Sequence, residues 1–530
     1  MFHSRFPDLE IPDLTVYEYL FADLTDDDLG RVALIDAASG AETTYGSLRA
    51  QVDAFAGALA ARRAGIGTVV AMLCPNIPAF AAVFHGSLRA GTTVTTLNSL
   101  YTAEEIEKQL TDAGATWLIT VGRLLPQAEA AAARCGIPPE RLIVIDGAAG
   151  HPDLGSLLSE NAAPPVIAID PATHVAVLPY SSGTTGAPKG VMLSHRNLVA
   201  NVEQCQVGTA LAGADRLLAV LPFFHIYGMT VLLNLALRRR ATLVTMPKFD
   251  LVEFLTSIQR HGCTYLCVAP PIAVALAKHP IVDEFDLSTV RTVFSGAAPL
   301  DGETAGLVGR RIDARVYQGY GMSELSPASH TIPSDSEGVP VSSVGYALPN
   351  VVCKLVDIDT GEEITEFEAD GLTRPGELWV KGPNVMLGYL NRPDATAETI
   401  DADGFLHTGD VATYSGEGWF SIVDRVKELI KYKGYQIAPA ELEALLLRHP
   451  GVLDAAVVGV LDDDKQEIPK AFVVAAPGAG LTVEEVMSFV AGNVAPHKKV
   501  RRVEFIDSIP KSSAGKILRK DLRSRAVSGS

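Results

Sequence analysis

PYSSGTTGAPKG, at residues 179–190, follows a short apolar run at residues 175–178 that is typical of a β-strand. Glycines let backbone N–H groups approach an anion, hydroxyl side chains can donate hydrogen bonds to it, and a lysine can neutralise its charge. The stretch therefore predicts a loop that holds a polyphosphate. Its candidate phosphate-binding residues are Ser181, Ser182, Gly183, Thr184, Thr185, Gly186 and Lys189. It differs from a Walker A loop, because Pro188 rather than a glycine precedes the lysine.

Around this loop, helical and strand patterns alternate between residues 32 and 270. Ala-rich amphipathic stretches at residues 45–62 and 79–90 predict helices, and a β-branched run at residues 68–73 predicts a buried strand. Such alternation is typical of α/β layers. Residues 361–419 are dense in glycine and weak in helical periodicity, which predicts a β-rich subregion.

The pattern changes after Asp424. Pro439 with acidic residues behind it predicts the start of a helix, and Thr482-Val483-Glu484-Glu485 is a capping box that opens another. Residues 500–506 alternate like a strand. The predicted fold class is therefore α/β, with a large multi-layered N-terminal domain at residues 1–424 and a small α+β C-terminal domain at residues 425–530.

Composition narrows the class of partner. Lys and Arg number 44 against 62 Asp and Glu, so the net charge of the 530 residues is −18. This balance predicts no nucleic-acid partner, although the ten basic and three acidic residues at 496–525 give that segment a net charge of +7. The sequence has no run of 18 apolar residues, no apolar signal segment near its start and no C-x-x-C pair. We therefore expect a soluble cytoplasmic protein with reduced thiols and no integral membrane contact.

Residues 178–197, LPYSSGTTGAPKGVMLSHRN, closely resemble the phosphate-binding signature of the adenylate-forming enzymes. This superfamily includes acyl-CoA synthetases, luciferases and peptide-synthetase adenylation domains, and the resemblance is strongest to the 4-coumarate–CoA ligases. Further segments support it in the family's order across nearly the whole chain. They are FFHIYGM (223–229), SGAAPL (295–300), QGYGMSE (318–324), HTGD (407–410), DRVKELIKYKGYQIAPAELE (424–443) and PKSSAGKILRK (510–520).

The resemblance implies a two-step reaction on two domains. A small-molecule carboxylate attacks the α-phosphate of ATP, which releases pyrophosphate and leaves an acyl-adenylate. The C-terminal domain, mobile in this family, then rotates, and the thiol of CoA displaces AMP. The family also implies Mg²⁺ as a cofactor, and the chain is expected to be a monomer or a homodimer.

The same resemblance implies roles for individual residues. Lysine suits a bridge between the carboxylate and the α-phosphate, because it is a compact charge on a long stem. The implied catalytic residues are Lys516, His225, Lys431 and Gln436. Besides the phosphate loop, the implied nucleotide-binding residues are Gln318, Gly319, Tyr320, Ser323, Asp410 and Arg425, and Lys433 and Gly434 would contact CoA. Glu324 would hold Mg²⁺, a hard ion that takes few carboxylates plus phosphate oxygens.

The resemblance also implies an acyl pocket with small and apolar walls. Its implied lining residues are Tyr227, Val231, Gly296, Gly321, Pro327 and Ala328. Small residues leave room for a flat or slender acyl group, and apolar walls fit a phenylpropenoate or a fatty chain. A hydroxycinnamate is therefore the expected acid.

Several alternatives stay open from the sequence. The acid could be a medium-chain fatty acid or another aryl acid, and the acceptor could be a carrier protein loaded by a stand-alone adenylation enzyme. A luciferase-like oxygenase and a non-catalytic nucleotide-binding module are further readings. A nucleophile elbow at residues 321–325 is disfavoured, because its last glycine is missing.

Overall fold

The computed structural model describes residues 1–181, 188–432, 435–462, 466–512 and 515–528. Within these residues the chain has mixed α/β architecture, with a large N-terminal part of three sheets followed by a small α+β part. The predicted fold class is therefore confirmed. Short 3₁₀ turns lie at Gly122–Leu124, Pro139–Arg141, Pro280–Glu284, Ser323–Leu325 and Pro496–Lys498.

The first sheet has parallel central strands whose side chains are buried on both faces, as is usual when helices cover a parallel sheet. In spatial order its strands are Gly388–Tyr389, Lys189–Ser194, Val175–Val177, Thr93–Thr96, Val69–Leu73, Trp117–Thr120 and Leu142–Val144, and Tyr180–Ser181 pairs with Lys189–Ser194. The helices along this part of the chain are Tyr45–Ala61, Pro78–Arg89, Ala103–Ala113, Leu125–Arg134 and Leu154–Ser159. The helices predicted at 45–62 and 79–90 and the strand predicted at 68–73 are confirmed.

The second sheet has six parallel strands with antiparallel strands at its edges. In spatial order these are Tyr346–Ala347, Ala328–Thr331, Arg315–Gly321, Thr292–Ser295, Tyr265–Val268, Arg216–Ala219, Thr242–Thr245, Val32–Asp36 and Glu42–Thr44. Its associated helices are Val16–Phe21, Asp26–Gly30, His195–Thr209, Leu235–Arg238, Leu251–His261, Pro270–Lys278 and Gly302–Ile312, with a π-helix at Tyr227–Asn234. One continuous core joins this sheet to the first.

The third sheet is antiparallel and contains the subregion that the glycine-rich composition predicts. Its strands are Phe2–His3, Val352–Val356, Gly376–Lys381, Leu406–Tyr414 and Phe420–Arg425. Helix Pro393–Thr399 lies in sequence between the third and fourth of these strands. In strands Leu406–Tyr414 and Phe420–Arg425, Asp410 lies directly opposite Arg425. This register fixes the distance between an acidic and a basic side chain.

The C-terminal part has its own apolar core. Its strands are Ile430–Tyr432, Tyr435–Ile437, Val452–Leu461, Glu467–Ala475 and Arg502–Phe505, and its helices are Pro439–Leu447, Val483–Asn493 and Arg519–Ser528. The helix predicted at Pro439 and the capping box at Thr482 are both confirmed. In the part of the chain that the structure describes, no helix combines the length and the apolar character needed to cross a bilayer.

Arg519 ties the last helix to the rest of the C-terminal part. Its guanidinium donates two hydrogen bonds to the carboxylate of Glu443, at 2.6 and 2.7 Å, and lies 3.6 Å from Glu428. The arginine side chain is only 14% exposed and that of Glu443 only 11%. The interaction is therefore a largely buried ion pair, and removing one partner leaves the other uncompensated.

We expect Arg519→Met to destabilise the C-terminal part by about 3 kcal/mol, because Glu443 would stay buried without its cation. Urea unfolding followed by a C-terminal fluorescent label measures the change. Arg523→Met is the matched control, since within the described residues Arg523 pairs with Glu428 and not with Glu443, and its side chain is 39% exposed. Equal and small losses in the two variants would contradict a stabilising role for the Arg519–Glu443 pair.

Candidate active site

The site lies where the second and third sheets meet the C-terminal part. Strand Arg315–Gly321 runs into the 3₁₀ turn Ser323–Leu325, and the chain then returns along Ala328–Thr331. A Cβ atom on Gly321 would lie 2.1 Å from the carbonyl oxygen of Pro327, so this close backbone approach requires glycine. The turn holds Ser323 and Glu324 at the end of the strand that carries Tyr320.

Asp410 is held between Tyr320 and Arg425. The phenol of Tyr320 donates a hydrogen bond to one carboxylate oxygen at 2.5 Å, and Nε of Arg425 lies 3.2 Å from the other oxygen. Burial raises the pKa of Tyr320 well above its usual value, and the neighbouring Asp410 adds to the shift, so the phenol stays protonated as a donor. Three predicted nucleotide-binding residues from separate motifs therefore meet in one group.

Glu324 is buried and connected to the phosphate loop by a tyrosine that the sequence did not single out. The hydroxyl of Tyr389 donates to Oε1 of Glu324 at 2.8 Å, and Nζ of Lys189 lies 4.5 Å from the centre of the Tyr389 ring. Burial raises the pKa of Tyr389, which keeps the hydroxyl protonated. Lysine on an aromatic face gains electrostatic stabilisation. Tyr389 thus holds the predicted metal ligand and the loop lysine in one place.

Lys516 reaches this site from the C-terminal part. Gly515 before it has φ +82°, and a Cβ at that position would lie 3.3 Å from Cβ of Ala269, so the loop packs closely against the start of helix Pro270–Lys278. Burial and the charge of Arg425 lower the pKa of Lys516 to about 8. The carboxylates of Asp410 and Glu324 act on the same ammonium in the opposite direction. At neutral pH the lysine is therefore mostly charged, and it lies among the groups described above.

The imidazole of His225, near Lys516, is neutral. Burial lowers its pKa to about 4, and the positive charge of Lys516 adds to the effect. Its Nδ1 accepts a hydrogen bond from the backbone N–H of Tyr227 at 3.3 Å. With Nδ1 used as an acceptor, the ring proton resides on Nε2, which can donate to an anionic group.

An apolar pocket opens beside His225. Its space free of protein atoms is about 600 Å³, including solvent at the mouth. The structure brings all six predicted acyl-pocket residues to its wall, namely Tyr227, Val231, Gly296, Gly321, Pro327 and Ala328. A Cβ on Gly296 would lie 2.8 Å from the ring of Tyr227, so glycine there keeps the cleft open.

Other predicted residues lie elsewhere or have other contacts. The side-chain amide of Gln318 forms hydrogen bonds with the backbone of Leu300 and Val341. Gly319 lines the apolar pocket. Ser181 pairs with Lys189 in a short antiparallel ladder. Lys431 has an exposed side chain, and its N–H donates to Glu467. Gln436 lies opposite Lys431 in the strand pair, and its side chain is not described. Outside the described residues lie Ser182, Gly183, Thr184, Thr185, Gly186, Lys433 and Gly434.

Sequence reasoning missed the anchor of the phosphate loop. The hydroxyl of Tyr180 donates to Asp112 at 2.8 Å, and the same carboxylate accepts from Arg392 at 2.8 Å. These side chains come from three separate segments, so no local motif signals their contact. They secure the strand that enters the loop.

Comparison with known proteins decides the family. The model of the AMP-binding enzyme family matches residues 23–390, and that of the AMP-binding enzyme C-terminal domain matches residues 441–516. The chain belongs to the AMP-binding enzyme family. Members of this family that are CoA ligases use ATP and CoA as substrates. The site of this AMP-binding enzyme joins groups from both matched regions, because Lys516 of the second region interacts electrostatically with Glu324 of the first.

Individual relatives are similar along the whole AMP-binding enzyme. The 4-coumarate–CoA ligase 5 of Oryza sativa subsp. japonica is 42% identical over 542 residues, with 100% of this chain and 98% of the relative covered. ATP-bound MatB from Rhodopseudomonas palustris is 30% identical with a TM-score of 0.87, covering 96% of this chain and 98% of that chain. Apo MatB at the same identity and coverage gives a TM-score of 0.77. The present arrangement is thus more similar to the ATP-bound form.

Proposed function

We propose that this chain is an ATP-dependent carboxylate–CoA ligase of the 4-coumarate type, which forms an acyl-adenylate and then an acyl-CoA thioester. The observation that carries the proposal is the convergence of Lys516, Asp410, Glu324 and neutral His225 beside one apolar pocket. Full-length similarity to a 4-coumarate–CoA ligase supports the choice of acid and acceptor.

The first step joins the acid to AMP. A carboxylate oxygen of the acid bonds to the α-phosphorus of ATP, and the bond from that phosphorus to pyrophosphate breaks with its electron pair leaving on pyrophosphate. Negative charge grows around phosphorus, so a preorganised cation in a water-poor site lowers the barrier. Lys516 supplies that cation, and Nε2–H of His225 orients the attacking carboxylate.

Hydrogen bonds, ring stacking and charge pairing account for the proposed contacts to ATP. Asp410 accepts hydrogen bonds from the ribose hydroxyls, as carboxylates do in other nucleotide sites, and Arg425 holds it in position. Tyr320 stacks on adenine, and Ser323 donates to the α-phosphate. The loop from Ser181 to Lys189 holds the β- and γ-phosphates. Gln318 and Gly319 complete the wall of the nucleotide site.

Magnesium fits the residues at Glu324. One oxygen of this buried carboxylate is bonded to Tyr389. Among the described residues no group of three or more His, Cys, Asp or Glu side chains is arranged to hold a metal. A single carboxylate suits Mg²⁺, which takes its remaining ligands from phosphate oxygens and water. The ion would neutralise charge on the phosphates of ATP, and Glu324 would position it.

The second step uses the C-terminal domain, which we place at residues 425–530, with the N-terminal adenylation domain at residues 1–424. The thiolate of CoA attacks the acyl carbon, and AMP leaves with the electron pair of the mixed anhydride bond. The exposed side chain of Lys431 fits a role that begins after the domain rotates. Gln436 joins it at the adenylate, and Lys433 with Gly434 contacts CoA.

A panel of acids tests the function directly. Purified protein is assayed for AMP release with ATP, Mg²⁺ and CoA, using cinnamates, benzoates, and medium- and long-chain fatty acids. We expect hydroxycinnamates to give the highest kcat/KM and acyl-CoA to accumulate in step with AMP. AMP without acyl-CoA would instead indicate a carrier protein as acceptor, and preference for a fatty acid would reject the aryl assignment.

The pH dependence of the first step reports the charge of Lys516. Because the pKa of this ammonium is lowered to about 8, its cation is lost as pH rises through 8. The kcat/KM for ATP in pyrophosphate exchange reflects groups of the free enzyme. We expect this parameter to be level from pH 6 to 7 and to fall with each unit of pH above 8.

Lys516→Arg is the control for that profile. Arginine stays protonated throughout the range, so the variant should be slower but lose the decline above pH 8. A wild-type profile that remains level to pH 9.5 would contradict the assignment of the titrating group.

A further inference from the structure

One hydroxyl in the acyl pocket lacks a partner. Thr209 lines the pocket, its residue is 6% exposed, and its Oγ1 has no hydrogen-bond partner among the residues that the structure describes. Buried hydroxyl groups nearly always have a hydrogen-bond partner, because a buried hydroxyl without one loses the hydrogen bond that it made to water in the unfolded chain. A hydroxyl kept without a partner on the wall of a ligand pocket is therefore available to the ligand.

Among the other polar groups of the pocket wall, His225 is assigned to the carboxylate of the acid, and those of Tyr227, Tyr320 and His330 are already engaged. The hydroxyl of Tyr227 bonds the carbonyl of Phe294 at 3.5 Å, and that of Tyr320 bonds Asp410. The ring nitrogens of His330 contact Ser329 at 2.9 Å and the thiol of Cys353 at 3.5 Å. Much of the remaining wall is apolar. A polar substituent entering this pocket would thus meet Thr209 as an unused hydrogen-bonding group.

The fold holds Thr209 at a defined position. It is the last residue of helix His195–Thr209, which Ala210 ends with φ +48°. Gly208 packs so closely on strand Ala328–Thr331 that a Cβ there would lie 2.4 Å from Cγ2 of Thr331. Cys205, one turn earlier, lines the same pocket. The helix carries none of the nucleotide-binding residues proposed above, and its residues Cys205 and Thr209 face the acyl pocket.

We propose that Thr209 is a specificity-determining residue, whose hydroxyl hydrogen-bonds a polar substituent on the acid away from its carboxylate. The inference rests on the proposed ligase function and narrows its substrate class to ring-hydroxylated aryl acids. A site with a buried hydrogen-bonding group rejects an analogue that lacks the matching group, because both partners then lose a bond. An unsubstituted aryl acid or a plain fatty chain would leave Thr209 unpaired.

The test compares two acids that differ by one hydroxyl, 4-hydroxycinnamate and cinnamate. The measured quantity is the ratio of their kcat/KM values in AMP release with CoA. For the wild type we expect a ratio clearly above one. Thr209→Val keeps the shape of the side chain but removes the hydroxyl, and we expect it to lower the ratio about tenfold, the effect of one hydrogen bond. Thr209→Ser restores the hydroxyl and should recover most of the ratio.

Thr230→Val is the matched control. Thr230 is also fully buried with an unpartnered hydroxyl in the described structure, but it does not line the pocket. Its substitution makes the same chemical change and should leave the ratio unaltered. A ratio that falls equally in both valine variants would assign the effect to packing and overturn the proposal.

Two further outcomes separate this inference from the proposed function. If the wild type turns over both acids with equal kcat/KM, or if Thr209→Val leaves a high ratio unchanged, the role of Thr209 is rejected while the ligase activity stands. If neither acid supports AMP release but a different acid class does, the substrate class of the proposed function fails. A wild-type preference that Thr209→Val abolishes and Thr209→Ser restores supports the proposal.

Discussion

Lys516→Ala is expected to reduce acyl-adenylate formation about a thousandfold, while thioester formation from preformed acyl-AMP stays largely intact. Lys516 lies with Asp410 and Glu324 around the position proposed for the α-phosphate. Removing one preorganised electrostatic group from such a site costs two to three orders of magnitude. In the second step no bond to phosphorus forms or breaks, and the proposed rotation of the C-terminal domain moves this lysine away from the phosphate. ATP–pyrophosphate exchange and CoA acylation from synthetic acyl-AMP measure the two steps separately.

Lys520→Ala is the control for this experiment. Lys520 lies four residues further along, in the same basic segment, and its side chain is exposed on the final helix. The variant should exchange pyrophosphate at the wild-type rate, which excludes a general effect of lost positive charge. Survival of both half-reactions in Lys516→Ala would reject Lys516 as the group that acts on phosphorus.

Glu324→Gln is expected to lower kcat for pyrophosphate exchange about a hundredfold and to raise the Mg²⁺ concentration needed for half-maximal rate. Glutamine keeps the volume of the side chain and an oxygen that can accept from Tyr389, but it lacks the charge that a hard divalent ion requires. The carboxylate is buried, so water replaces it poorly. Titration with Mg²⁺ at fixed ATP measures both quantities.

Tyr389→Phe tests whether the position of the Glu324 carboxylate matters separately from its binding of Mg²⁺. It removes the hydrogen bond to Oε1 of Glu324 but leaves the carboxylate and the aromatic face under Lys189. We expect a loss of about tenfold, the effect of one hydrogen bond, with a smaller change in Mg²⁺ dependence. A wild-type Mg²⁺ requirement in Glu324→Gln would falsify the assignment of Glu324 as the metal-holding residue.

Local elements followed from the sequence because local physics decides them. The helix at Pro439–Leu447 begins with a proline, which needs no N–H partner in the first turn, and Thr482 caps Val483–Asn493 through its own hydroxyl and Glu485. Residues 361–419, where glycine is dense and helical periodicity is weak, contribute strands to the third sheet. Motif resemblance then indicated the residues of the candidate site, including six that line one pocket.

Contacts between distant segments did not follow from the sequence. Tyr389, Asp112 and Arg392 carry no motif signal. The hydrogen bond from Tyr389 to Glu324, and those that Asp112 accepts from Tyr180 and Arg392, depend on chain paths through two sheets. Glu428 gives a clear example. Its partners, Arg519 and Arg523, lie far along the chain on the last helix, and no local pattern indicates these contacts.

The sequence alone determined the layered fold class, the family and the chemical groups of the site, since those depend on periodicity and on residues close in the chain. Only the tertiary structure decided which groups meet. It brought Lys516 near Asp410 and lowered the pKa of the lysine by burial. It also left the hydroxyl of Thr209 in the pocket without a partner among the described residues. The burial of a side chain and the pairing of its polar groups depend on packing, and packing is set only when segments distant in the chain contact one another.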